Sequence, residues 1–297
     1  MALTRHYYNN PTTRPTGESP LNYVQDTLLA LGWVQDKVVE SSNYVSELYF
    51  HSTHATDPVY VSAQSVKDTW YHNVYFYTNL GFDTGLAADA QPNGLSSLTN
   101  PIIYTPLYIP IAGAVTFDMF GDEETFYLMS FHQNTSSDSV NNRKNRATYN
   151  NVFYTGTLNK YMPFSGGQFG VQMNLTSTTL NAYNSFYYNG QWYHSNVSKG
   201  DGILSKINAH VSTVGYMERA GNLRAGGIII TPQIAYIDLA GGVGDVRWGA
   251  IGELPNLYQQ KYGTTWNKLY KHEGKEYFSK VYGNPWDYMY SLFDVTP

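Results

Sequence analysis

Short segments rich in β-branched and aromatic residues recur from residue 44 to residue 282 without a linker-like break, and this recurrence restricts the chain to a mainly-β fold. Residues 44–50, 59–66, 71–78, 125–132 and 152–158 carry the pattern most clearly, and 227–231, 234–239, 246–251 and 277–282 continue it. No heptads, internal repeats or sustained βαβ alternation interrupt it. The expected architecture is therefore antiparallel, sandwich- or barrel-like, with residues 19–297 forming a single interwoven domain. Residues 101–120 carry Pro101, Pro106 and Pro110 between apolar pieces, which suits edge strands or an extended crossing. Residues 81–100 and 133–148 read as loops, and 165–182 as a further long loop.

Local signals place the other elements. Ser19 can cap a helix whose first turn accepts Pro20 and whose apolar stripe is Leu21, Val24, Leu28 and Leu31. Gly32 ends it and Trp33 follows. A short C-terminal helix is expected after Asn284-Pro285, using Trp286, Met289 and Leu292. The best hairpin is NSFYYNGQWYHS, residues 184–195, where Asn189-Gly190 supplies the positive φ angles of a type I′ turn. Residues 1–18 read as an extended arm broken by Pro11 and Pro15, either disordered or docked on a neighbouring subunit.

Composition narrows the function. The chain holds 28 Tyr, 13 Phe and 6 Trp, while charged residues are only 14% against the roughly 25% of ordinary domains. Tyr suits both half-buried strands and surfaces that are wet before assembly and dry afterwards. The candidate assembly contacts are accordingly Tyr7 and Tyr8 in the arm, and Tyr187, Tyr188, Trp192 and Tyr193 on the hairpin. The absence of cysteine excludes disulfides, thiol catalysis and thiolate zinc sites. A net charge of −5, with Arg143, Lys144 and Arg146 as the densest basic stretch, argues against nucleic-acid binding as the main role. No secretory signal is read in the first twenty residues, and no apolar run reaches the roughly 20 residues of a membrane span.

Three clusters invite a search for chemistry. His51, His54 and Asp57 could approach a metal only if a strand end brought them round, because residues three apart on a strand face opposite sides. Asp122, Glu123 and Glu124 could serve calcium binding or glycoside hydrolysis, but Gly-Asp ahead of a strand reads more simply as a turn. Gly241 to Asp245 has the glycines of a phosphate loop without the Lys-Ser/Thr that completes one. No catalytic, cofactor or metal residue is assigned, and the expectation is of a protein that is not an enzyme.

Several ordered phrases resemble a family of tailed-bacteriophage virion proteins. They are the helix running into Gly32-Trp33, the stretch Phe120 to Leu128 (FGDEETFYL), and Gly156-Thr157-Leu158-Asn159-Lys160-Tyr161 followed by Met162 to Gly167. The last is Trp248 to Tyr258 (WGAIGELPNLY), close to a "G-E-L-P-G-L-Y" phrase, with Asn256 standing where Gly is usual, and a turn at 273–276 precedes the final aromatic strand. The resemblance implies a β-rich structural subunit at the head–tail neck or the tail, with the baseplate as an alternative. Its implied partners are other phage structural proteins and copies of itself in a ring, its location is the virion, and it is made in the host bacterial cytoplasm. Weaker alternatives are a receptor- or glycan-binding baseplate protein using Trp192 and Tyr193, and a wall-degrading enzyme using a carboxylate pair such as Asp122 and Glu123.

Overall fold

A computed structural model describes residues 2–10, 19–41, 44–67, 71–92, 107–110, 114–133, 151–176, 179–194, 209–211, 230–238, 248–260, 268–282 and 289–297. Three antiparallel sheets make up the fold. The central one is seven-stranded. It contains β1 (Thr4–Asn10), β7 (Ala114–Gly121), β8 (Thr125–Gln133), β9 (Asn151–Thr157), β11 (Gly166–Thr176), β12 (Thr179–Tyr188) and β13 (Gln191–His194), in that spatial order. A five-stranded sheet runs β2 (Val34–Ser41), β3 (Tyr44–His51), β4 (Tyr60–Lys67), β5 (Tyr71–Asn79) and β6 (Leu107–Pro110). The third sheet is also seven-stranded, in the order β14 (Ala209–Val211), β15 (Thr231–Asp238), β16 (Trp248–Gln260), β19 (Met289–Asp294), β18 (Lys275–Tyr282) and β17 (Lys268–His272). The short β10 (Asn159–Lys160) pairs with β16 beside this path.

The middle of the central sheet, β7 to β9, is buried on both faces. Phe117 and Met119 of β7, Phe126 and Leu128 of β8 and Phe153 of β9 join a core with the five-stranded sheet and the helix α1 (Pro20–Ala30). Their immediate neighbours Phe120, Tyr127, Met129 and Tyr154 join a second core with Ala235, Ile237, Ile251, Leu254, Phe278 and Phe293 of the third sheet. Successive strand residues point to opposite faces, so a strand covered on both sides reads as a continuous apolar run. That is why FYLM of β8 is wholly buried.

The helix forms as its signals require. The Ser19 hydroxyl accepts from the Leu21 N–H (3.1 Å), and the Ser19 N–H donates to Asn22 Oδ1 (2.9 Å). Gly32 takes φ +88°, while Trp33 N–H returns to the Leu28 carbonyl and closes the C-terminus. Leu21, Val24 and Leu28 are buried beneath the five-stranded sheet.

The hairpin at Asn189-Gly190 forms with φ of 46° and 88°. The structure corrects other expectations. Residues 4–10 of the supposed arm are strand β1, laid antiparallel on β7 through seven paired positions, and Tyr8 packs on the first core. The C-terminal helix is absent over the described residues. Met289–Asp294 is strand β19, hydrogen-bonded to β16 on one side and β18 on the other, with Phe293 stacked on Phe120 at 4.0 Å. Two ladders and a buried ring outweigh a helical spacing of three residues. The supposed loop 165–182 is largely β11 and β12. β17, an exposed or half-exposed edge with mixed polar sequence, was not anticipated. Loop residues 81–92 fold around buried Gln91, which donates to the Asp83, Leu86 and Ala87 carbonyls and accepts from the Asp83 N–H. Residues 227–229, 239 and 241–247 lie outside the described residues, as do the basic stretch 143–146 and Trp286.

Asn256 sits inside β16 with φ 55°. The β15–β16 register slips there, pairing Pro232 with Tyr258 but Ile234 with Glu253. The residue must take a left-handed conformation that only Gly and Asn adopt readily. Asn256→Gly should unfold within about 0.5 kcal/mol of the parent, whereas Asn256→Ala should lose about 1–2 kcal/mol in urea denaturation.

Candidate functional site

The phrases that stand far apart in the sequence meet in one packed junction. The Asp122 carboxylate accepts from Glu124 N–H (3.0 Å), Thr125 N–H (2.8 Å) and the Thr125 hydroxyl (2.8 Å), closing the turn between β7 and β8. Trp33 Nε1 donates to the Asp122 carbonyl (2.8 Å), which joins the helix terminus to that turn. Gly156 lies against Thr125, where a Cβ would come within 2.5 Å of the threonine methyl. Gly252 lies against the Asn159 carbonyl, where a Cβ would come within 2.6 Å. The Tyr127 hydroxyl donates to the Pro255 carbonyl (2.5 Å), and the Tyr161 hydroxyl to Glu253 (2.9 Å). Partial burial and then the Glu253 hydrogen bond push the Tyr161 phenol up to about 12, so it remains a donor at any ordinary pH.

The junction ends in an apolar tip. Tyr161 is 47% exposed and Met162 61%, and Pro163 is exposed beside them. The tip is held firmly from behind. Lys160 Nζ donates to Asp57 Oδ2 (2.6 Å) and to the Phe164 carbonyl (3.2 Å). Gly167 leaves room for that lysine chain, since a Cβ there would lie 2.5 Å from its Cε. Asn189 N–H donates to the Ser165 carbonyl (2.8 Å), so the hairpin turn buttresses the same loop.

The three sequence clusters that invited chemistry are engaged otherwise. His51 Nδ1 pairs with Asp36 at 3.0 Å, His54 Nδ1 accepts from the Asp57 N–H of its own turn at 3.0 Å, and Asp57 holds Lys160. Asp122 closes its turn, and Glu123 and Glu124 are exposed. The glycine cluster at 241–245 lies outside the described residues. Among the described residues no three His, Asp or Glu side chains come together, and no helix is long and apolar enough to cross a membrane.

The six candidate contacts divide by strand parity. Tyr8 packs on the first core, and Tyr188 and Tyr193 on the second. Tyr187 and Trp192, cross-strand partners, stand half-buried on the opposite face of the ribbon with ring centroids 5.4 Å apart. Tyr7 is 46% exposed and lies at the mouth of a buried charge cluster.

That cluster is Asp118, Lys280 and Arg5. Asp118 of β7 and Lys280 of β18 are wholly buried and hydrogen-bonded to each other between the central and third sheets. Arg5 Nε on β1 donates to the other Asp118 oxygen, Oδ1, at 2.7 Å. Its guanidinium lies 3.9 Å over the Phe278 ring. Burial lowers the Lys280 ammonium to about 8; Asp118 opposes that shift and Arg5 adds to it. The cluster was missed in the sequence, although a signal exists. Asp118 is the one charge in β7, between Phe117 and Met119, and Lys280 is followed by Val281 and Tyr282 in an aromatic stretch of β18.

Comparison with known proteins found no matching family model, no matching curated protein and no matching solved structure.

Removing one partner of a buried pair leaves the other charge without compensation. Asp118→Ala should therefore lose about 3–5 kcal/mol in denaturant unfolding.

Proposed function

We propose that this chain is a non-enzymatic structural subunit of a tailed-phage particle, assembling through protein–protein contacts at the head–tail neck or in the tail. The observation that carries the reading is the junction. The phrases that resemble virion proteins pack together and end in the exposed tip Tyr161-Met162-Pro163. Exposed aromatic and Met side chains on a rigid support suit a contact that becomes dry on assembly. Asp122 and His54 hold turns, and His51 and Asp57 hold ion pairs, which favours a structural over a catalytic role. A baseplate role in receptor or glycan recognition is the second reading, and the half-exposed Tyr187–Trp192 pair favours it, because such rings stack on sugar faces.

Negative-stain imaging of particles tagged on this chain should place the label in a ring at the neck or tail. A strictly monomeric chain with no place in purified virions would refute the proposal, and label confined to the baseplate together with glycan-array binding would favour the second reading. Met162→Asp, at a side chain 61% exposed, should leave the unfolding midpoint unchanged while lowering incorporation into particles about tenfold or more.

A further inference from the structure

We propose that Lys280 and Asp118 condense into an intramolecular amide that covalently joins the central sheet to the third sheet. The two side chains come from strands 162 residues apart, are wholly buried, and already share a hydrogen bond from Nζ to Oδ2. Their walls are aromatic. Lys280 Nζ lies 4.9 Å from the Phe278 ring centre and 6.0 Å from that of Tyr7, and Phe120 packs on Phe278 at 5.8 Å. Among the described residues, Arg5 and Tyr7 of β1 also lie at the pair.

Three physical features favour the reaction. First, the reacting atoms are held together by the fold, so attack is intramolecular and carries the rate advantage of fixed proximity. Second, a dry site disfavours a charge pair and favours the neutral one. A proton shift along the hydrogen bond turns ammonium and carboxylate into amine and carboxylic acid, and burial has already weakened the lysine's hold on its proton. Third, Arg5 donates to Oδ1, the oxygen that stays. Attack by Nζ on Cγ puts negative charge on that oxygen, where a fixed cation is most useful.

The step balances without an outside reagent. The Nζ–Cγ bond forms and the Cγ–Oδ2 bond breaks. Of the three ammonium protons, two leave with Oδ2 as water, and nothing is oxidised or reduced. The product is a neutral amide in place of a buried ion pair, which removes the desolvation penalty of two charges. The amide ties β7 to β18 independently of noncovalent packing.

The test is the mass of the full-length folded chain, measured after denaturation. The chain should be lighter than its sequence mass by one water. A protease digest should yield a branched peptide joining the segment of Asp118 to that of Lys280. Lys280→Met and Asp118→Ala should appear at their full sequence masses. Arg5→Met should slow the appearance of the branched peptide after refolding by about a hundredfold, the scale of losing one fixed donor to a developing oxyanion. A parent chain at full sequence mass, with the two segments recovered separately after prolonged incubation in the folded state, overturns the proposal whatever the variants do.

Discussion

Burial of β7, β8 and β9 on both faces is the constraint on which the rest depends. β7, β8 and β9 present Phe117, Met119, Phe126, Leu128 and Phe153 to one side, and Phe120, Tyr127, Met129 and Tyr154 to the other. Burying each such side chain contributes about 1.5–3 kcal/mol, so neither face can be left wet. The five-stranded sheet and helix α1 cover one face, and the C-terminal sheet covers the other. Phe293 and Phe278 take their positions because Phe120 needs partners, and the former stacks on it at 4.0 Å. Strand β19 thereby joins the middle of its sheet, although its sequence would also suit a short helix.

Two polar pairs bridge these layers. Thr78 and Thr155 share a hydrogen bond across the first interface, from β5 to β9, at 3.0 Å. Asp118 and Lys280 meet across the second. Any register that buries one of the two without the other leaves an uncompensated charge between the layers. Arg5 extends the cluster to the N-terminal strand, and Leu3 N–H donates to the Asp294 carbonyl at 3.1 Å, so β1 is fastened to both sheets it touches. Far from being a loose arm, this segment is an edge strand with a charged anchor.

Period-two alternation also reshapes the aromatic surface. Each neighbouring aromatic pair in the sequence splits, with Tyr8, Tyr188 and Tyr193 serving the cores while Tyr7, Tyr187 and Trp192 lie outside them. Half of the apparent assembly surface is therefore packing. The more exposed apolar tip is Tyr161-Met162-Pro163, held by Lys160, Asp57 and the Asn189 turn, none of which suggests a contact surface when read alone.

The sequence by itself determined what short-range chemistry controls. The Ser19 cap, the Leu21-Val24-Leu28 stripe, the Gly32 terminus, the Asn189-Gly190 turn and the Asp122 turn all form as their residues dictate, because each depends on neighbours a few positions away. The mainly-β, antiparallel class follows in the same way from composition and alternation. Tertiary structure alone decided which strands lie beside which, that β7, β8 and β9 are covered on both faces, that residues 4–10 and 289–294 are strands, and that Asp118 meets Lys280. Those outcomes depend on ladders and burial between residues up to 162 positions apart, whose energies have no counterpart in any local window.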